Sequence, residues 1–288
     1  RPCEPAPPRA LVDPDGAFVV ATWDAVCAEP IRRLRIDLTA FFAVDARHEA
    51  LVSIHPPGEH ADPHVVRAGA PVALLHAGQS PPLASWIGYG MHHIFGGSDH
   101  VSFVLALLLV VVIARGAGPA WQIRRPADAL RTTAGIVTAF TAAHSLTLIA
   151  ASLGWLRLPS RLVESLIAAS ILYTAIEDVA RPDARHRFAM TFGFGLVHGL
   201  GFASVLEDLL PPTHVIAPLL GFNLGVELGQ LAIVAVALPA FAGLARLLGA
   251  DRYRRIALPA AAVPLVLIAT KWLIERSFAI ETFELFGM

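Results

Sequence analysis

Charge is scarce in this chain, and cysteine scarcer still. Asp, Glu, Lys and Arg make up 16% of the 288 residues, while 55% are apolar, beyond the roughly 45 to 50% of an ordinary soluble domain. Mean hydropathy is +0.60; a soluble fold has too little interior to hide this much apolar surface. No lysine or arginine block is dense enough to grip nucleic acid, and the formal net charge is -1. A GxSxG elbow, a P-loop and a dinucleotide fingerprint are all missing, which sets aside serine-hydrolase, nucleotide-hydrolysing and Rossmann chemistry. The two cysteines, Cys3 and Cys27, both fall in the N-terminal part. If that part meets an oxidising compartment they can form a disulfide, though spacing alone does not establish one. The chain opens at Arg1 with neither an initiator methionine nor an apolar leader, as a processed exported chain does and as a truncated one also would.

What is present divides in two. Residues 1–82 hold short alternating stretches separated by proline and glycine: 17–23, 31–44, 49–54 and 65–75. Leu34, Ile36 and Leu38 face one way and Arg33, Arg35 and Asp37 the other, the pattern of a half-buried antiparallel strand. A small β-rich domain is expected there. From Leu83 the texture turns apolar, and six segments are long enough to cross a hydrocarbon layer of about 30 Å as helices: 98–115, 132–152, 161–180, 188–209, 217–240 and 256–275. The preceding stretch, 83–97, carries Trp86 and Tyr89 and reads as an interfacial or re-entrant helix broken at Gly96 and Gly97. The expected architecture is a polytopic α-helical membrane protein. It has about six transmembrane helices plus the outer interfacial or re-entrant helix, preceded by a small β-rich extracytoplasmic domain (1–82, 83–97 and a bundle over 98–280).

Arginine sets the orientation. Arg115, Arg124, Arg125 and Arg131 lie between spans one and two, Arg181, Arg185 and Arg187 between three and four, and Arg246, Arg252, Arg254 and Arg255 between five and six. The opposite loops hold Arg157 and Arg161, or only Glu207 and Asp208. The positive-inside rule then puts both termini outside the cytoplasm.

Twelve histidines in so apolar a chain demand partners. Asp99 and His100 open span one. His144 lies 13 residues beyond Arg131, about 20 Å along a helix. His198 falls near the middle of span four, and Glu227 is ten residues into span five. All five reach the outer half of the layer. Thr141, His144 and Thr147 share a face by i+3 spacing, as do Asn223, Glu227 and Gln230 by i+4 and i+3. Imidazole nitrogens with a carboxylate suit zinc, nickel, cobalt or iron. His100, His144 and His198 with Asp99 make the expected donor set, and His93 closes it from above. Asp99 and His100 point about 100° apart, so one of them is expected to orient another ligand. Glu227 has three open roles: ligand, acceptor for a proton from bound water, or partner of an imidazolium. In span three Ser170, Thr174 and Glu177 share a second polar face, with Asp178 beside it near the cytoplasmic end. That patch reads either as an inner way-station for an ion or as a partner for Arg181 or Arg185.

Four blocks occur in order: HHIFGGSDH at 92–100, FTAAHSLTL at 140–148, FGFGLVHGLGFA at 192–203 and FNLGVELGQ at 222–230. Together they resemble the HupE/UreJ family of integral membrane proteins over residues 86 to about 276. The front domain resembles that of a longer subgroup with an exported N-terminal region. The resemblance implies a multi-pass protein of the bacterial inner membrane whose histidine and acidic positions are His93, Asp99, His100, His144, His198 and Glu227. It implies nickel or cobalt permeation, or an accessory role beside hydrogenase or urease. Two other functions fit the residues. One is an intramembrane zinc hydrolase acting on a lipid or membrane-anchored peptide, with Glu227 as general base and Asn223 polarising a carbonyl. The other is a non-catalytic partner or sensor for an exported protein. Expected partners are membrane lipids and, through the front domain, an exported or membrane-anchored protein; nucleic acid is not among them.

Overall fold

Alternation in the front segment becomes strand pairing. The computed structural model describes residues 4–5, 9–12, 19–22, 25–26, 33–44, 49–54, 62–76, 82–116, 120–156, 158–182, 186–201 and 216–279. The chain divides into two compact units, Arg1–Ser80 and Pro81–Met288. In the first, the described strands are β1 (Glu4–Pro5), β2 (Arg9–Val12), β3 (Val19–Thr22), β4 (Ala25–Val26), β5 (Arg33–Asp37), β6 (Glu49–Ile54), β7 (Asp62–Arg67) and β8 (Val72–His76). They pair antiparallel as β1–β4, β2–β3, β5–β8 and β6–β7. Leu34 and Ile36 pack with Phe42, Val66 and Ala73, while Arg33, Arg35 and Asp37 stay exposed. The expected strand 31–44 stops at Asp37, whose carboxylate accepts from the Thr39 hydroxyl (2.6 Å) and amide (3.1 Å). The chain turns there into the short helix α1 (Thr39–Phe42). Those two bonds favour the charged form and hold the Asp37 carboxyl below its ordinary value. Cys3 and Cys27 lie outside the described residues.

The second unit is helical: α2 (Leu83–Gly96), α3 (Ser98–Leu109), α4 (Pro126–Ser152), α5 (Ser160–Ala180), α6 (Arg187–Gly201), α7 (Ile216–Leu248) and α8 (Ala250–Phe278). Among the described residues, α4, α7 and α8 are long and apolar enough to cross a membrane. Their outer faces are what hydrocarbon favours and water does not: Val236 is 75% exposed and Leu267 66%. α5 is 21 residues long but carries Arg161 and Glu164 at one end and Glu177 and Asp178 at the other.

Boundaries differ from the sequence reading in places with local causes. Span one, read as 98–115, is helical only to Leu109. Val110, Val111, Val112 and Ile113 follow, all at most 1% exposed. Val110 to Val112 unwind from the helix in turns, with Val111 N bonded to Leu108 O and Ile113 N to Val110 O, and lead into a hairpin of β9 (Ile113–Arg115) and β10 (Trp121–Ile123). Tyr253 Oη donates to the Leu109 carbonyl (2.8 Å), pairing one of the carbonyls the helix end leaves over. α4 starts at Pro126, where a missing N–H costs nothing, and α7 runs on to Leu248. The 202–209 part of span four lies outside the described residues.

α2 packs lengthwise on α7. A Cβ at Gly90 would overlap the Phe222 carbonyl, one at Gly225 the Ile87 carbonyl, and one at Gly229 would lie 3.0 Å from Ile94. The contact pairs climb together along both helices, so α2 and the first half of α7 run parallel, backbone on backbone. Trp86, read as a headgroup anchor, is 2% exposed and packs beside Gly221 on α7.

Candidate metal centre

The centre is made by a broken helix. On a continuous helix His93 and His100 would be separated by about 10 Å of rise. Between α2 and α3 a single residue, Gly97, adopts extended backbone (φ -85, ψ 98). The two imidazoles meet across it with ring centroids 4.5 Å apart. Hydrogen bonding persists through the break, from Gly97 N to His93 O and from Val101 N to Gly97 O, both 3.1 Å. A Cβ at Gly97 would lie 2.6 Å from His100 Nδ1 and 2.9 Å from the His93 carbonyl. Gly97→Ala is therefore expected to push His100 out of register and weaken metal binding at least tenfold, with little change in helix content. Cobalt titration alongside circular dichroism checks this.

His144 joins from α4. Its ring centroid is 6.1 Å from that of His93 and 6.5 Å from that of His100. One nitrogen from each of the three rings lies within 4.8 Å of the other two. Three imidazoles bound at about 2.0–2.1 Å round a tetrahedral ion need their nitrogens a little closer than this, so small rotations bring them to one cation. Burial strengthens the case: His144 is 0% and His100 5% exposed. Among the described residues no nitrogen of His100 or His144 makes a hydrogen bond of good geometry, although Asp99 Oδ1 stands 3.6 Å from His100 Nδ1 and Asn223 lies beside His144. Unsatisfied buried nitrogens are costly, and a cation satisfies them. The donor set fits a divalent transition metal.

The other expected residues take distinct places. His198 on α6 has its ring centroid 5.4 Å from that of His100 but stands outside the tight triad. Asp99 sits at the mouth, with Oδ1 3.6 Å from His100 Nδ1 and Oδ2 3.3 Å from an Arg276 guanidinium nitrogen. Of the adjacent pair, His100 enters the cluster and Asp99 turns toward Arg276. Asn223 is buried and donates to the Leu219 carbonyl (2.8 Å). Glu227 is not gathered with the triad; its carboxylate accepts from Thr138 Oγ1 (3.4 Å) on an exposed edge of α4. Three residues further on in both helices, Thr141 donates to Gln230 (3.1 Å) on the buried side.

An aromatic floor lies under the imidazoles. Phe103 and Phe140 have ring centroids 5.0 and 5.2 Å from that of His198, and Phe140 lies 5.9 Å from His144. Beyond the floor is a space of about 10 Å³, lined by Leu107, Val111, Thr133, Ile136 and Gln230 among others, room for about one water.

Three side chains were not assigned to this region from the sequence. Arg276 on α8 holds Asp99, touches the Glu164 carbonyl (3.3 Å) and lies over Trp272. Ser170 on α5 contacts His198 instead of joining a cytoplasmic patch. Asp178 pairs with buried Arg187, and Glu177 lies 4.0 Å from the same guanidinium; of the expected partners Arg181 and Arg185, Arg185 lies outside the described residues. A charge at a helix end was the only signal for Arg276 and Arg187, and nothing in the sequence named their partners.

No curated protein and no solved structure matches the chain. The family model for HupE / UreJ proteins matches residues 71–276, a stretch holding the broken helix, all three triad histidines, His198 and the arginine at the mouth, and on that match the chain, a multi-pass membrane protein, belongs to the HupE/UreJ family.

Proposed function

We propose that the protein carries a divalent transition-metal ion, nickel first, from the outer compartment to the cytoplasm. The family suggests membrane metal transport. The observation that carries the reading is the triad of half-buried His93 and buried His100 and His144, with its nitrogens within 4.8 Å of one another. In this reading Asp99 draws the ion to the mouth, the triad strips its water, and His198 stands at the inner side of the same site. The negative charge of Asp99 lowers the cost of holding a dication away from water. Arg276 competes for the same carboxylate and keeps it from binding too tightly to release.

Release is the harder half. Phe103 and Phe140 close the inner side of the imidazoles, so α3 and α4 must part before the ion moves on. A buried aromatic layer under the ion supports an occluded resting state. The orientation with both termini outside, the six spans and an extracytoplasmic front domain that meets an exported protein all belong to this same proposal.

A zinc hydrolase needs a base within reach of metal-bound water. Glu227, the residue assigned that role, meets Thr138 instead, so no observation favours hydrolysis over transport. The deciding experiment uses full-length protein in proteoliposomes with an internal nickel-sensitive dye. Saturable uptake is expected, with cobalt competing and calcium not; no uptake under any metal, proton or voltage gradient would sink the proposal.

A further inference from the structure

Ser170 lies on α5, 2% exposed. Its hydroxyl oxygen is 2.7 Å from the Ile167 carbonyl and 2.9 Å from His198 Nε2. A serine hydroxyl has one proton to give, and a carbonyl oxygen can only accept. The proton therefore goes to Ile167, and Ser170 must accept from the ring, which puts the ring proton on Nε2. The lone pair of the neutral imidazole is then on Nδ1. That atom is buried and has no hydrogen-bond partner among the described residues. Phe103 lies tilted against the ring at 5.0 Å, Phe140 meets it in a T-shaped contact at 5.2 Å, and an imidazole, that of His100, stands at 5.4 Å. A doubly protonated ring would put a second N–H where no acceptor waits.

We propose that Ser170 is a positioning residue that fixes the His198 tautomer, presenting a bare Nδ1 to the cation held by His93, His100 and His144. The inference rests on the cation site proposed above and adds a fourth imidazole donor to it. Ser170 touches no ion in this scheme and acts only through His198. Donors to a ligating histidine commonly change metal affinity 10- to 100-fold when removed.

The test is cobalt(II) binding to the detergent-solubilised full chain, read by titration, by visible d–d absorption and by X-ray absorption for the number of imidazole donors. Ser170→Ala is expected to weaken cobalt about 10- to 100-fold and to lower the imidazole count by one. Ser170→Thr, which keeps the hydroxyl, is expected to retain most of the affinity. In a His198→Ala background Ser170→Ala should cost nothing further, because its partner is already gone. Unchanged affinity and imidazole count in Ser170→Ala would overturn the inference and leave the triad standing. An equal loss with and without His198 would overturn it too, by showing that Ser170 matters only for packing. If wild-type protein binds no cobalt, the cation site falls and this inference falls with it. The thermal midpoint of each metal-free variant, within a few degrees of wild type, separates these outcomes from misfolding.

Discussion

His144→Ala and His100→Ala are each expected to reduce cobalt or nickel affinity by on the order of 100-fold or more and to abolish uptake, while each folded variant still forms its helices. Both effects come from the same geometry. Each variant takes one imidazole from the triad, so the ion keeps fewer protein donors and more of its hydration shell. The two substitutions should differ in stability. His144 is fully buried, with Phe140 stacked on it and Asn223 beside it, and its nitrogens make no hydrogen bond of good geometry among the described residues. Alanine there removes an unsatisfied polar group along with packing, so the metal-free protein loses little stability or gains some. His100 lies beside Asp99, and removing it frees that carboxylate to close fully on Arg276. Isothermal titration and thermal unfolding on the same preparations check both halves. Affinity within threefold of wild type in both variants would mean that the triad is a packing feature.

Much of this centre is legible in the sequence because depth and face are local properties. Helix rise puts His100, His144 and His198 at one level, and the i+3 spacing of Thr141, His144 and Thr147 turns His144 inward. Gly96 and Gly97 mark the break, and its consequence, His93 folded onto His100, follows once Gly97 alone goes extended. Azimuth between helices is not local. Counting residues puts Glu227 level with the histidines but cannot say which neighbour it meets; the crossing of α4 and α7 gives it Thr138 and gives Gln230 the buried partner. Arg276 and Asp99 are 177 positions apart, so their pairing depends on how α3, α5 and α8 assemble. The end of span one was hidden for another reason. Val110 to Ile113 is as apolar as a membrane helix, and hydropathy does not distinguish a buried turn that ends a helix from the last turn of a span.

The ion pair at the other end of α5 carries the largest expected stability effect. Asp178 is 0% exposed and Arg187 1%, and they join the end of α5 to the start of α6. Losing one partner strands a charge in a low-dielectric interior, which costs about 3–5 kcal/mol. Arg187→Met and Asp178→Leu are therefore each expected to unfold the protein in mild detergent at a temperature where wild type is stable. The double variant should recover most of that loss, since two apolar side chains of similar size need neither partner nor water. Single losses under about 1 kcal/mol would instead mean that water reaches the pair, as it does for surface ion pairs. The double variant also separates stability from transport. Its metal binding should match wild type, because the pair lies at the opposite end of α5 from the Glu164 contact with Arg276 at the mouth. If α5 and α6 must separate at this end to release the ion, a permanent apolar lock slows uptake without changing affinity. Unchanged uptake would place the exit elsewhere, at the floor made by Phe103 and Phe140.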